Sequence, residues 1–272
     1  MNSAQRIKLW LYRGPIRTAA QYSGLNKLAK RILWMYIKYK RSIHIEIGSV
    51  AGSFAIATWK EYSVLNNALE TERPIIAAMA ELTEPTDTIW DVGANIGTYT
   101  ILLGSKLSTG EVVAVEPYPP NAARLREHIA ANSIPATVEE VALSDKCKTT
   151  ELAILYSEQP GAEQHSYVSE YIDQSQQITT REVPLVTGDD LIADGGPSPD
   201  IMKIDVEGAG IHVLRGFEDT LRSGRCRALF IETHNNRDEI LEILNEYDCS
   251  IEFMDFKGYR KNDDSFIVAY SK

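Results

Sequence analysis

Thr88-Ile89-Trp90-Asp91-Val92-Gly93-Ala94-Asn95-Ile96-Gly97 is the stretch from which the fold can be read. Ile89, Trp90 and Val92 make a short apolar run, Gly93 and Gly97 permit a tight turn, and Thr98 to Leu107 carries helical periodicity. A strand, a glycine turn and a helix start in this order aim backbone N–H groups and the positive end of a helix dipole above a sheet edge. That arrangement suits a ligand with carboxylate or ribose oxygens. Asp91, at the strand end, adds an acceptor for a cationic group.

Downstream, strands and helices alternate. Glu111 to Glu116 reads as a buried strand ending in an acid, Pro119 to Asn132 as a helix and Thr137 to Leu143 as a third strand. Later strands are expected at Ile201 to Val206, Ala228 to Thr233, Ser250 to Phe256 and Phe266 to Tyr270, with helices near Ala209 to Ser223 and Arg237 to Tyr247. Units of this length imply an α/β protein with a mostly parallel sheet covered on both faces. Between Cys147 and Val186 two β-rich pieces, Glu151 to Tyr156 and Arg181 to Val186, flank a polar segment, which reads as an insertion over the ligand edge of the sheet. Upstream, Tyr62 to Leu82 has helical spacing, with Pro74 starting a second segment. Ile43 to Trp59 alternates around Gly48 and Gly52, which suggests a hairpin acting as lid or flank.

Composition bounds the rest. With 272 residues, 44% hydrophobic and 24% charged, the chain reads as an ordinary soluble globular protein. Cys147, Cys226 and Cys249 lack any Cys-x-x-Cys spacing, so neither a disulfide framework nor a zinc site is indicated, and a reducing cytoplasm is expected. The apolar run Ile32 to Ile37 is too short for a membrane span, and no signal peptide is recognisable. The formal charge of −10 hides an asymmetry: Met1 to Ile45 holds ten Lys or Arg and no acid, leaving 18 bases against 38 acids in the remainder. Leu25, Leu28, Ala29, Ile32, Leu33, Tyr36 and Ile37 form one stripe of a helix expected at Asn26 to Lys40. It reads either as a helix packed on the following domain or as an interfacial anchor meeting anionic lipid at the inner face of the membrane. An acidic body is a poor match for nucleic acid.

Ligands in such folds sit beyond the carboxyl ends of the strands. The residues there are Asp91, Gly93, Asn95 and Gly97; Glu116; Ala142, Ser144 and Asp145; Asp205 and Glu207; and Glu232 and His234. Glu116 lies about 20 residues past the turn, where an acid can accept both ribose hydroxyls of an adenosine cofactor. The Gly-x-x-x-Gly spacing is not Gly-x-Gly-x-x-Gly, which argues against a dinucleotide and against a nucleotide-dependent oxidoreductase.

Asp91 to Gly97 (Asp-Val-Gly-Ala-Asn-Ile-Gly), Glu116-Pro117, Val141 to Asp145, Lys203 to Gly208 (Lys-Ile-Asp-Val-Glu-Gly) and Leu214-Arg215-Gly216 together resemble the FkbM family of S-adenosylmethionine-dependent methyltransferases. The resemblance runs from about Thr71 to Tyr270. It implies a Rossmann-like class I methyltransferase fold with a seven-stranded sheet at 71–272, preceded at 1–70 by a basic helical extension and hairpin. It implies S-adenosylmethionine as cofactor and O-methylation, commonly of a sugar or natural-product hydroxyl. The turn Gly93 to Gly97 would receive the methionine part with Asp91 near its ammonium, Glu116 the ribose, and Ala142 to Asp145 the adenine edge. The family usually continues Asp-Val-Glu-Gly-Ala-Glu, and here Gly210 replaces the last acid.

Methyl transfer is an in-line displacement, so positioning and exclusion of water dominate. An alcohol acceptor benefits from a general base, whereas a carboxylate acceptor, such as a uronic acid forming a methyl ester, needs none. Asp205, Glu207 and His234 are the candidates, with the alternative that the acids only bond backbone or Lys203. Asp205 with Glu232, His234 or Asn235 could also gather Mg²⁺, although no ligand spacing demands a metal. His128, His165 and His212 read as surface residues. A glycan or small-molecule hydroxyl, lipid-linked if the arm meets a membrane, is the expected acceptor; a non-catalytic membrane or polyanion adaptor is the contrasting class.

Overall fold

The computed structural model describes residues 41–155, 160–161, 165–166, 178–254 and 266–271, with Met35 and Tyr39. The expected helix Asn26 to Lys40 otherwise lies outside the described residues, as does the polar middle of the insertion.

The described chain opens with a hairpin, β1 (Ser42–Ile47) and β2 (Val50–Ala55), followed by α1 (Trp59–Glu70) and α2 (Arg73–Leu82). Thr58 and Glu61 form a reciprocal capping box that starts α1, and the break before α2 falls where Pro74 enters its first turn. Then come β3 (Thr88–Val92), α3 (Thr98–Gly104), β4 (Glu111–Val115), α4 (Pro119–Asn132) and β5 (Ala136–Glu139). The insertion contributes β6 (Ala142–Leu143), β7 (Lys148–Leu155), β8 (His165–Ser166) and β9 (Ile178–Val186). The remaining elements are α5 (Gly188–Ala193), β10 (Ile201–Ile204), α6 (Gly210–Arg215), α7 (Glu218–Arg222), β11 (Ala228–Glu232), α8 (Arg237–Glu246), β12 (Ser250–Met254) and β13 (Phe266–Tyr270).

The main sheet has seven strands in the order β12-β13-β11-β10-β3-β4-β5. Its ladders are parallel from β5 to β11, and β13 runs antiparallel between β11 and β12. The order reverses beside β3, which has β4 on one side and β10 on the other, so the crevice above β3 is where such a sheet opens to a ligand. The central strands are buried on both faces: Ile89 packs in one core cluster with Ile101, Leu102 and Val112, and Trp90 in the other with Met202, Phe217 and Leu229. Trp90 and Phe217 meet edge to face at 5.1 Å, an aromatic contact that contributes about 1 kcal/mol beyond its buried area.

Several expectations are corrected. The third strand does not continue to Leu143: β5 ends at Glu139, and Ala142 and Leu143 pair with Leu185 and Val186 of β9 in a separate four-stranded sheet. The helix expected from Ala209 to Ser223 is two helices. It breaks at Gly216, whose backbone lies so close to Ser144 O that a Cβ would stand 2.0 Å from it. Ile45, Phe54, Tyr62 and Leu65 share one core cluster with Ile89 and Val112. The hairpin is a packed flank held partly by His128. Far from lying at the surface, that histidine is 1% exposed; its Nδ1 lies 2.7 Å from Ile96 O, and its Nε2 accepts from Ala55 N at 3.1 Å. Burial holds its pKa below 6.5, in keeping with a neutral ring. His212 is likewise no free surface residue, with Nδ1 3.4 Å from Asp145; His165 falls in β8.

Candidate active site

The turn after β3 is shaped by sterics. Gly93 has φ +78°, and a Cβ there would meet Asp205 O at 2.0 Å, so only glycine lets the ends of β3 and β10 lie this close. Asn95 takes the left-handed conformation (φ 51°) that asparagine tolerates best among larger residues, and its N–H donates to Glu116 Oε2 at 2.8 Å. Gly97 (φ +93°) packs against Leu125, where a Cβ would come within 2.4 Å of Leu125 Cδ1. The second oxygen of Glu116 accepts from Tyr118 N at 2.9 Å. Burial pushes the Glu116 carboxyl up to about 7, against the pull of those two backbone donors.

Asp91 serves this turn from below. It is 1% exposed, and its Oδ2 accepts from Thr100 N at 2.9 Å and from the Thr100 hydroxyl at 2.6 Å, tying β3 to α3. Its other oxygen faces Lys203 Nζ at 3.5 Å. Asp91 thus holds the start of α3 and the Lys203 ammonium beneath the turn. Lys203 is the centre of charge: its Nζ lies 3.2 Å from Asp205 Oδ2, donates to Gly93 O at 3.3 Å and stands 4.8 Å from the centroid of the Tyr99 ring. Burial alone would depress this lysine, but Asp205, Asp91 and Glu72 outweigh it and hold the ammonium above its ordinary value. Sequence reasoning treated Lys203 only as a partner for the acids. Its position in β10 between two strand-end acids, with an inward register, was the available signal.

One cleft gathers most of the strand-end residues. Gly93, Asn95, Glu116 and Ala142 line it together with Lys203, Asp205, Glu207, Glu232 and His234. Asp91, Gly97, Ser144 and Asp145 do not line it: Ser144 Oγ donates to Asp145 Oδ1 at 3.1 Å, and Asp145 turns to His212, so this pair ties β6 to α6. Burial acts to raise the Asp145 pKa, but bonds from His212 and Ser144 hold it below the ordinary value. Residues that the sequence reading passed over complete the lining, notably Thr98 on the cofactor side and Asn67 and Glu72 at the junction of α1 and α2.

At the mouth, His234 stands between two carboxylates, with Nε2 3.7 Å from Asp205 Oδ1 and Nδ1 3.8 Å from Glu207 Oε2. Burial works to raise the Asp205 carboxyl, yet Lys203 and bonds from His234 and Glu232 hold it well below the usual carboxylate range. A carboxylate so stabilised is a weak base and a good orienting group. Asp205, Glu232 and His234 place ligand atoms within 4.8 Å of one another, a spacing that a cation could bridge, but Lys203 already supplies positive charge to Asp205.

The residues present fit the cofactor expected from the sequence. Among the described residues, five acids, Glu72, Glu116, Asp205, Glu207 and Glu232, line the cleft with one lysine, Lys203, a balance that favours a cationic ligand. Val92, Val115, Ala142 and Leu143 give an apolar wall for a flat base. Thr98 also lines the cleft, and its buried Oγ1 has no hydrogen-bond partner among the described residues.

Comparison with known proteins agrees. The methyltransferase FkbM domain matches residues 91–261. The hexuronic acid methyltransferase AglP of Haloferax volcanii is 26% identical over 90% of this chain and 96% of its own length. The AMB antimetabolite synthetase AmbE of Pseudomonas aeruginosa is 26% identical over 57% of this chain, which corresponds to 9% of that much longer protein. Among solved structures, the FkbM methyltransferase of Methylobacillus flagellatus aligns with a TM-score of 0.50 at 18% identity, covering 79% of this chain and 56% of that one, and shares the fold.

Proposed function

The chain belongs to the FkbM family of S-adenosylmethionine-dependent methyltransferases, and we propose that the group it methylates is a hydroxyl of a glycan or small molecule. The observation that carries this reading is His234 held between Asp205 and Glu207 at the mouth of the cofactor cleft. A carboxylate acceptor needs no base, whereas an alcohol gains from one. When bound, the cofactor supplies an electrophilic methyl group on a cationic sulfur. Gly93, Asn95, Thr98 and Glu116 would hold it, with Ala142 and Leu143 against the base. With Nδ1–H turned to Glu207, His234 would take the hydroxyl proton on Nε2 as the acceptor oxygen bonds the methyl carbon and the carbon–sulfur bond breaks, and Asp205, facing Nε2, orients the ring and stabilises the imidazolium that forms. Lys203 keeps Asp205 ionised throughout, so the proton stays on the histidine. Asp205 thus moves from candidate base to orienting group.

The test is methyl transfer with His234→Ala and Asp205→Asn. Cofactor affinity by calorimetry should be retained in both, with transfer falling by roughly 10²–10⁴-fold in His234→Ala. Full turnover by His234→Ala would sink the base assignment. A second reading is a uronic acid carboxylate, supported by what the Haloferax volcanii relative is named for; its product, a methyl ester, is released by mild alkali, while a methyl ether is not. Among the described residues no helix is long and apolar enough to cross a membrane. The basic arm is proposed as a peripheral contact for a lipid-linked acceptor in the cytoplasm, and absence of salt-sensitive pelleting with anionic vesicles would end that idea.

A further inference from the structure

Asn121 stands in the first turn of α4 and is 1% exposed, yet it lines the cleft beside Glu116. A side-chain amide buried there has its donor and acceptor ends assigned by what surrounds it. Asn121 Oδ1 accepts from Gly161 N of the insertion at 2.9 Å. That leaves Nδ2 as the group that donates to Glu116, and the Asn121 side chain does bond this carboxyl, in the sense that favours its ionised form. A peptide N–H from the insertion therefore decides that Glu116 meets a donor here and not a second lone pair. Gly161 is itself fixed: it is buried with φ +83°, and a Cβ there would stand 3.0 Å from Glu61 N. Glu61 is fully buried, accepts from Ala57 N and Thr58 N at 2.6 and 2.7 Å, and receives Arg124 Nε of α4 at 2.6 Å. The start of α1, the helix α4 and the insertion thus meet at one node next to the cofactor acid.

The groups that act on the Glu116 carboxyl come from four elements. Asn95 N from the glycine turn reaches Oε2, Tyr118 N from the start of α4 reaches Oε1, Asn121 adds its amide, and Lys203 of β10 acts through its charge. The two backbone donors are set by the turn and the helix start, so the amide is the contribution that the insertion can alter. An ionised carboxylate accepts from two ribose hydroxyls, whereas a neutral carboxyl brings a donor of its own that one of them must accommodate. We propose that Asn121, oriented by Gly161, is a positioning residue that holds Glu116 ready to accept the ribose hydroxyls, so that the insertion contributes to cofactor affinity without touching the cofactor. The inference rests on the placement of the cofactor at Glu116 and adds to it a control that originates outside the glycine turn. The coupling is reciprocal: whatever the cofactor gains from the Gly161 contact, that contact gains from the cofactor.

The experiment uses the full chain with isotope-labelled glutamate, so that the Glu116 carboxyl can be titrated by NMR without cofactor and identified by its absence in Glu116→Gln. Calorimetry with S-adenosylmethionine is run in parallel from about pH 6 to 9. Asn121→Leu, similar in size but without the amide, should move the Glu116 titration upward by about one pH unit or more. Cofactor affinity should then fall about fivefold near pH 7 and return towards the wild-type value near pH 9, because the ionised carboxylate is restored there. Asn121→Ala, which adds no bulk, makes the same comparison without crowding. Gly161→Ala should move both curves in the same direction by a smaller amount, with the Asn121 side chain intact. A lower melting temperature in Asn121→Leu and Asn121→Ala with both pH curves unmoved assigns the residue to structure and overturns the inference alone. Unmoved curves in Gly161→Ala overturn the part given to the insertion. A moved Glu116 titration with no change in cofactor affinity overturns the inference together with the placement of the ribose at Glu116.

Discussion

The two sides of the cleft are made in different ways. On the cofactor side, backbone geometry does the positioning: Gly93 has no room for a Cβ, Asn95 is left-handed, and Glu116 is locked by two backbone N–H groups. On the side proposed for the acceptor, side chains do it, with the buried His234 3.7 and 3.8 Å from the part-exposed carboxylates of Asp205 and Glu207. The first side tolerates almost no substitution because its constraints are steric. The second can change residues at modest cost to folding, which is where an enzyme family can alter its acceptors while keeping its cofactor.

Lys203 joins the two sides, so its removal should break the contrast most severely. Lys203→Met leaves Asp91 and Asp205 without their shared ammonium; with a lysine only 2% exposed, the expected loss of stability is about 3–5 kcal/mol, read by urea unfolding. A wild-type midpoint would show that the acids find other partners. Next comes Gly93→Ala, whose Cβ clash with Asp205 O and φ of +78° should cost roughly 1–3 kcal/mol and abolish cofactor binding, while His234→Ala keeps cofactor affinity. Equal damage from the two would erase the distinction between the sides.

The effect of pH sharpens the contrast further. Glu116 is raised in the folded protein from 4.5 to about 7, so the unliganded fold is favoured by this group at low pH and loses that advantage as pH rises through 7. The loss amounts to about 3 kcal/mol at most. Ribose hydroxyls placed at Glu116, as proposed, would donate to the ionised carboxylate, so cofactor affinity should climb between about pH 6 and 8, and Glu116→Gln should flatten that climb. A pH-independent affinity in the wild type would place the ribose elsewhere. The smallest effect belongs to the flank. His128 is depressed below 6.5, so its contribution is present above that value and fades as pH falls. His128→Gln should remove this acid sensitivity while costing about 1 kcal/mol, seen in thermal melts.

What could be read from the sequence follows the same division. The glycine turn, the Glu116 strand end and the α/β alternation were legible because each is local: a few adjacent residues determine a conformation. Ala142 and Leu143 were assigned to the wrong sheet because their partner, β9, lies some forty residues away, and pairing of that kind leaves no local mark. The bond from Thr100 to Asp91 was not legible, because a strand-end acid has the same local signature whether or not it also caps the helix that follows. His128 was taken for a surface residue because a helical histidine gives no hint that a hairpin more than seventy residues upstream covers it. Asn67 and Glu72 had no signal at all, since their relation to His234 exists only in three dimensions.

The placing of β13 has a consequence for timing. It inserts antiparallel between β11 and β12, although both precede it in the chain. During synthesis the strand that carries Glu232 therefore emerges before its outer neighbour exists. A nascent chain can shape the glycine turn early, whereas the end of β11 that presents His234 must wait with an open edge until β13 arrives to close it.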